Sequence, residues 1–417
     1  MKIALIVRKL NLKGGTQRQA LSLARELKNK GHEVVICGIY YSKEGCYPEL
    51  LDGFRVVSLP TQNMSRGTLA KTLTKFAPIA ETVRDNREAL ALAKLMDDDF
   101  ELLNPHDQVS YKVAHFYKKI KRNIPAVWNM NDLPQKVYGF DRARGCDDNF
   151  KQAWWRHLAY RIFDWYENSF FLSSMDEIVV VDFFNRDLVL KYLGREAFTV
   201  RSGPDFEHFS YKDRTHPKDE IKLLSSGILM PHRRYEDSIK ALLLLRVRAI
   251  PAKLTIMGDI ENDKKYHAKL VHLIEELGLQ DSVTFTGRVS EIDLVKNYHD
   301  ADVYLFQHHL QSDGLSPFEA AATGLPLIVS RTAGCHEILT HMENAILVKA
   351  KSPTEIADAI EKLYRDELFY KKMSTGANKF LRENLSWEKY AGGVMAVMQR
   401  AIERAQKLGP VMSYPEN

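Results

Sequence analysis

The feature that most restricts the fold of this chain is an alternation, kept up from end to end, of short apolar β-branched runs with segments of helical period. That rhythm is the pattern of parallel sheets covered by crossover helices. In the first half the predicted strands are Ile3 to Val7, Val34 to Cys37, Val56 to Ser58, Ala126 to Trp128 and Ile178 to Val181. Between the first two, Thr16 to Lys30 sets Ala20, Leu21, Leu23, Ala24 and Leu27 on one helical face and stops at Gly31. In the second half Leu223 to Ser225, Leu254 to Met257, Val283 to Phe285, Val303 to Phe306 and Leu327 to Val329 read as buried strands. Ser316-Pro317-Phe318-Glu319 and Ser352-Pro353-Thr354-Glu355 read as capping boxes with proline at the first helical position.

A chain of 417 residues is long for one hydrophobic core, which predicts two domains. The polar stretch from Gly203 to Glu220, with Pro204 and Pro217, is the predicted linker. The expected architecture is α/β: two doubly wound parallel-sheet domains, residues 1–205 and 206–387, followed by a long helical pattern near Ser386 to Leu408. With 45% hydrophobic and 27% charged residues the whole chain should fold.

A formal charge of +5, from 59 Lys+Arg against 54 Asp+Glu, is too small and dispersed for a nucleic-acid-binding protein but suits an anionic small molecule. Cys37, Cys46, Cys146 and Cys335 make no CxxC or Cys/His cluster with metal-ligand spacing. Met1 to Arg8 reads as a strand rather than a signal peptide, and no run approaches a membrane span. The expected location is cytoplasmic, with any membrane contact peripheral. Lys118-Lys119-Ile120-Lys121-Arg122 and the segment from Trp154-Trp155-Arg156 to Trp165-Tyr166 are where such contact would be made. The simpler reading of both is a cationic helix C-terminus and a partly buried helix.

Ligands of open parallel sheets bind at the carboxyl ends of the strands, so the residues just after each strand carry the chemistry. After the first strand, Gly14-Gly15-Thr16 lets the backbone approach a ligand as a helix begins, or serves only as a tight turn. Gly227 and the Arg233-Arg234 pair set forked, permanently charged donors beside a glycine turn, suited to a diphosphate. Gly258-Asp259 and Gly287-Arg288 stand at two further strand ends. Gly314-Leu315-Ser316 opens a helix whose N-terminal N–H groups make an anion site. Glu319 is placed either to accept from ribose hydroxyls or to complete the capping box. No GxGxxG follows any strand, which argues against a nicotinamide-dependent dehydrogenase.

In this order the segments resemble the large retaining glycosyltransferase family often called GT4, or glycosyltransferase group 1. Gly14-Gly15 followed by a helix and Lys30-Gly31-His32-Glu33-Val34 is similar to that family's opening. Asn104-Pro105-His106-Asp107 and Pro125 to Asp132 look like its two acceptor-side loops, and Val200 to Asp205 with His208-Phe209 like its hinge. Gly227 to Arg233 looks like the phosphate loop, Gly258-Asp259 and Phe285 to Arg288 like the middle loops, and Gly314 to Glu319 like the signature. The resemblance implies a GT-B fold, two Rossmann-like domains facing across a cleft. The second domain would hold a nucleotide-diphosphate sugar, and the first an acceptor: a glycan, a lipid-linked molecule or a small molecule. It also implies a terminal helix, about 388–417, that returns to the first domain.

The roles implied are diphosphate binding by Arg233 with Arg234 as helper, oriented N–H groups from Gly15, Gly314 and Leu315, ribose binding by Glu319, and donor-sugar contact by Gln311. Gly227, Gly258, Arg288 and Ser316 would complete the donor side. Gly14, Thr16, His106, Asn131 and Asp132 would form the acceptor side, with His106 titrating near neutral pH. Four positions depart from the family pattern: Gln311 where glutamate begins the signature, Ile228 where arginine is usual, Asn131 where histidine is usual, and Asp182 where serine is common. These departures motivate the alternative of a nucleotide-sugar-binding scaffold without turnover.

Overall fold

The computed structural model describes residues 1–60, 77–146, 154–310 and 313–408. It contains two parallel sheets. The first joins β1 (Lys2–Leu10), β2 (Glu33–Tyr41), β3 (Arg55–Ser58), β4 (Leu102–His106), β5 (Val127–Met130), β6 (Glu177–Val180) and β7 (Phe198–Thr199) in the order β3-β2-β1-β4-β5-β6-β7. The second joins β8 (Ile221–Ser226), β9 (Ala252–Met257), β10 (Val283–Gly287), β11 (Val303–Phe306), β12 (Leu327–Ser330) and β13 (Ile346–Val348) in the order β10-β9-β8-β11-β12-β13. Relative to its own first strand each sheet has the same order, so each has a switch point beside that strand, between β1 and β4 and between β8 and β11. Two such Rossmann-like sheets are what the expected GT-B architecture requires.

All ten predicted strands form, within four residues at each end. Three strands went unpredicted. The short β7 and β13 carry too few residues for a pattern. The third, β4, reads from its sequence as the loop Asn104-Pro105-His106 but is a central strand, in register with β1 from Ile3↔Leu102 to Val7↔His106. Proline lacks an N–H and normally excludes a central strand. Here the β5 side makes only one ladder pair, His106↔Asn129, while the Asn104 amide donates to the Val127 carbonyl (2.7 Å) and to Asn129 Oδ1 (2.9 Å). Side chains thus replace ladder bonds that the sequence cannot make.

The helix Gly15–Asn29 lays Leu21, Leu23, Ala24 and Leu27 into the core beneath β1 and β2 and ends before Gly31, whose φ of +83° suits glycine. Each fully buried leucine there contributes roughly 1.5–3 kcal/mol. The helix Trp387–Leu408 joins the same core through Tyr390, Ala391, Val394, Val397, Met398 and Ala401, so the end of the chain packs on the sheet formed by its beginning. Between β7 and β8 the described chain is irregular, but it is anchored: Arg214 is buried and donates to the carbonyls of Thr323, His299, Ala301 and Tyr298. The predicted capping box at Ser352 forms in part, with Ser352 Oγ accepting from Glu355 N. The one at Ser316 does not: the helix Ser316–Ala322 begins at that serine, and no side chain caps it. No helix of the described residues is long and apolar enough to cross a membrane.

Candidate functional site

The carboxyl ends of both sheets face a common cleft of about 430 Å³. Gly14, Gly15, Thr16, Gln17 and Gln19 reach it from the first sheet's switch point, with Asn131, Asp132 and Arg142 beyond β5. Ile228, Met230, His232 and Arg233 reach it from the loop after β8, and Asp313, Gly314 and Leu315 from the loop after β11. The tip of Leu315 lies 3.8 Å from where a Cβ on Gly15 would stand, so the two glycine loops meet across the domains.

With Arg142, Arg233 is one of two arginines that line this cleft. Its Nη1 donates to His308 Nδ1 (2.8 Å), and burial drives His308 well below the ordinary histidine range, leaving it a neutral acceptor. Arg233 Nε has no partner, and no carboxylate pairs with the guanidinium among the described residues. Burial lowers the Arg233 pKa, against a favourable field from Tyr235, Tyr304 and Asp132, yet guanidinium stays charged. A charged group held in protein with a donor unused is a site waiting for an anion.

The turn that carries Arg233 is fixed by two glycines. Gly227 has φ +142°, and a Cβ there would stand 3.3 Å from Arg233 Nη1. At Gly258 a Cβ would fall 1.9 Å from the Gly227 carbonyl oxygen, so that glycine is needed for the contact of two loops, and it does not line the cleft. We expect Gly258→Ala to cost about 1–3 kcal/mol by overpacking. Because the displaced turn carries Arg233, it should also weaken anion binding in the cleft; melting temperature and pyrophosphate titration measure the two effects.

Several expected site residues sit elsewhere. Arg234 is no helper: its guanidinium is bidentate on Asp237 (2.8 and 2.9 Å) and within 3.0 Å of Glu236, so its charge is met locally. Arg288 is exposed and paired with Asp259 at 2.8 Å. His106 is fully buried on β4, with Nε2 bonded to Asn104 Oδ1 (2.9 Å), and desolvation pushes it down to about 3, so it does not titrate near neutral pH. Ser316 does not line the cleft. Gln311 lies outside the described residues.

Glu319 is buried, and burial raises its pKa against the pull of Arg18 and Tyr298. It accepts from the Tyr298 hydroxyl (3.1 Å) and lies 3.8 Å from Arg18 Nε, which reaches across from the first domain. Arg18 also pairs with Glu291 and stacks over Tyr47 and Phe209, 4.7 and 5.3 Å from the ring centroids. Although burial opposes it, His208 and Arg18 hold Glu291 down to about 2. Asn131 faces the cleft with its amide nitrogen buried and unpartnered among the described residues. Asp132 is raised by burial and pairs with Arg142 at 3.3 Å. Arg142 was missed because the segment Lys136–Cys146 shows neither a glycine turn nor strong helical amphipathicity. Asp313 was overlooked within the signature. It accepts both Nη1 contacts of Arg201 (2.6 and 2.7 Å), and Arg201 also pairs with Glu337.

Asp182 explains its own departure from the family pattern. Its Oδ1 caps the helix Phe183–Leu193 by accepting from Asn185 N (2.6 Å), and its Oδ2 accepts from Asp313 N (2.7 Å), tying the two domains together. Burial outweighs these bonds and pushes its carboxyl up to about 6, from an ordinary value of 3.8. The folded state therefore binds this proton more tightly than the unfolded chain. Its stabilising contribution is full below about pH 4 and is lost as pH rises through about 6. Other groups titrate in the same window; burial, for instance, lowers His115 to about 4. The difference between wild type and Asp182→Ser isolates the effect. In urea denaturation that difference should fall by on the order of 1 kcal/mol between pH 5 and pH 8; a pH-independent difference would refute it.

Among the described residues no three His, Cys, Asp or Glu side chains assemble as metal ligands.

Residues 208–380 match the family described as glycosyl transferases group 1. A D-inositol 3-phosphate glycosyltransferase of Paenarthrobacter aurescens is 28% identical over 48% of this chain and 48% of its own, and the chain spans about half the length of the first curated relatives it matches. The mannosylfructose-phosphate synthase of Agrobacterium fabrum is 22% identical over 93% of this chain and 86% of its own. Among solved structures, Anabaena HepE in complex with UDP-glucose superposes with a TM-score of 0.68 at 16% identity, over 96% of this chain and all of the other. At that identity the likeness shows the fold alone.

Proposed function

We propose that this protein moves a hexosyl group from a nucleotide-diphosphate sugar to an acceptor hydroxyl, because residues 208–380 match the group 1 glycosyltransferases and the whole chain has the GT-B fold. The transfer proceeds with retention and without a metal or other cofactor, as a step in glycan or glycoconjugate biosynthesis. Residues 206–387 hold the donor. Residues 1–205, completed by the helix from about 388, hold the acceptor.

The observation that carries this reading is Arg233: a cation in the cleft, oriented by a neutral histidine and lacking a carboxylate partner among the described residues. It matches the charge a leaving nucleoside diphosphate develops as the glycosidic bond breaks. Backbone N–H groups of the Gly14-Gly15 and Gly314-Leu315 turns add oriented dipoles and Glu319 takes the ribose; Gln311, to which donor-sugar contact is assigned, lies outside the described residues. Asn131 and Asp132 orient the hydroxyls on the acceptor side. The names of similar proteins, a sugar-phosphate synthase and a UDP-glucose complex among them, support a nucleotide-sugar donor.

The test is a screen of uridine, guanosine and adenosine diphosphate sugars by thermal shift, followed by mass analysis of products with cell-extract acceptors. Transfer from one donor class is expected. Nucleotide binding with no transfer to any acceptor or to water would sink the reading and leave the scaffold alternative, which Ile228 and Asn131 in the cleft favour.

A further inference from the structure

The helix Trp154–Phe170 is turned inside out. Its acids face the protein: Asp164 accepts from the backbone N–H groups of Lys136 and Val137 (2.8 and 2.9 Å), and Glu167 takes Lys112 Nζ (2.6 Å) and the Tyr111 hydroxyl (2.9 Å). Phe163 and Tyr166 also pack inward, while large apolar residues face outward. Trp154 is 80% exposed, Trp155 59%, Leu158 53%, Ile162 61% and Trp165 64%. Positions 154, 158, 162 and 165 follow offsets of four, four and three, which places them in one stripe along the helix. Arg156 and Arg161, also exposed, are the outward charges, so the exposed face carries cations and no acid.

We propose that this helix docks the protein on an anionic lipid surface. An apolar stripe of this size is costly to leave in water, and tryptophan is the side chain that settles best at the boundary between headgroups and acyl chains. The two arginines bury their stems beside the stripe and present their heads to lipid phosphates. A second copy of the chain fits less well. In a symmetric pair each arginine would meet this same face, whose acids are turned inward and cannot answer it.

The basic run Lys118 to Arg122 is largely engaged elsewhere, Lys119 alone among its cations being exposed without a hydrogen bond or ion pair to the described residues. Lys118 is bonded to Asp176 and the Ser174 carbonyl, Lys121 to Asp98 and the Met96 carbonyl, and Arg122 to the Asp98 carbonyl. The docking helix packs on the helix Lys136–Cys146, with the Phe140 ring 5.3 Å from that of His157, and that second helix carries Arg142 into the cleft. The lipid surface would therefore lie one helix away from Asp132. On the transferase reading, on which this one point rests, the acceptor is drawn from that surface.

The full chain is sedimented with phosphatidylcholine vesicles containing about one third phosphatidylglycerol, and with phosphatidylcholine alone. Pelleting with the anionic vesicles is expected, weakened by high salt and reduced at least tenfold in Trp154→Gln/Trp165→Gln. Both rings are exposed, so the variant should keep the wild-type circular dichroism. Should it not, brominated lipid quenching of the wild-type protein decides, since three of its five tryptophans stand on this helix. Absence of pelleting and quenching, undiminished pelleting of a folded variant, or a lipid-independent dimer dispersed by the substitutions in a protein that ignores vesicles would each overturn the proposal. Vesicle binding needs no turnover, so its failure and that of the transferase reading are separable.

Discussion

Arg233→Ala should lower kcat/KM for sugar transfer by about 10³-fold, the scale of removing a preorganised donor from a developing charge. The loss should fall mainly on kcat, because the guanidinium matters most when the diphosphate leaves. Arg233→Lys should recover only part of it: an ammonium keeps the charge but cannot span both His308 Nδ1 and a phosphate as the planar fork does. Initial rates across donor concentrations measure both effects. If alanine left the rate within a few-fold of wild type, the diphosphate would have to be met elsewhere, and the assignment of Arg233 would fall.

A comparably large effect, on stability rather than rate, is expected at Arg201. This side chain, 10% exposed, holds the carboxylates of Asp313 and Glu337, themselves 4% and 12% exposed. Arg201→Ala strands both in a poorly hydrated site. Breaking a buried pair by removing one partner costs about 3–5 kcal/mol, and the urea midpoint should fall accordingly. Because Glu337 also accepts from the backbone N–H groups of Phe183 and Phe184 at 2.8 Å, the damage should reach the contact between domains and weaken donor binding too. The double variant Arg201→Met/Asp313→Leu should lose less than the two single changes together, since it leaves fewer unpaired charges. Additive losses would mean that the cluster is not coupled.

The fold was legible because parallel sheets write themselves as repeated apolar runs, and ten of the thirteen strands among the described residues needed no more than that rhythm. Legibility failed at β4, where proline and two polar residues occupy a central strand. What stabilises them, a chain of side-chain bonds to Val127, Asn129 and each other, depends on residues more than twenty positions away. The site was legible to the level of its loops. The Gly14-Gly15 and Gly314 turns and Arg233 follow strands and could be found by position, and they do line one cleft. Partnership was not legible. Arg234 differs from its neighbour only in falling within reach of Asp237, and His106 only in lying inside the sheet rather than beyond it. The charges at Arg18, Arg201 and Asp182 act between domains, and local sequence carries no signal for a partner more than a hundred positions distant.

The polar thread through the first sheet sets an order of events during synthesis. From His106 it passes to Asn104, then Asn129, and ends on the Tyr390 hydroxyl, which accepts from Asn129 Nδ2 at 2.8 Å. Tyr390 belongs to the last helix, so it leaves the ribosome only after every strand of both sheets. The domain made first is therefore sealed last, and a released chain truncated after residue 386 should hold a finished second domain beside a first one that is still open.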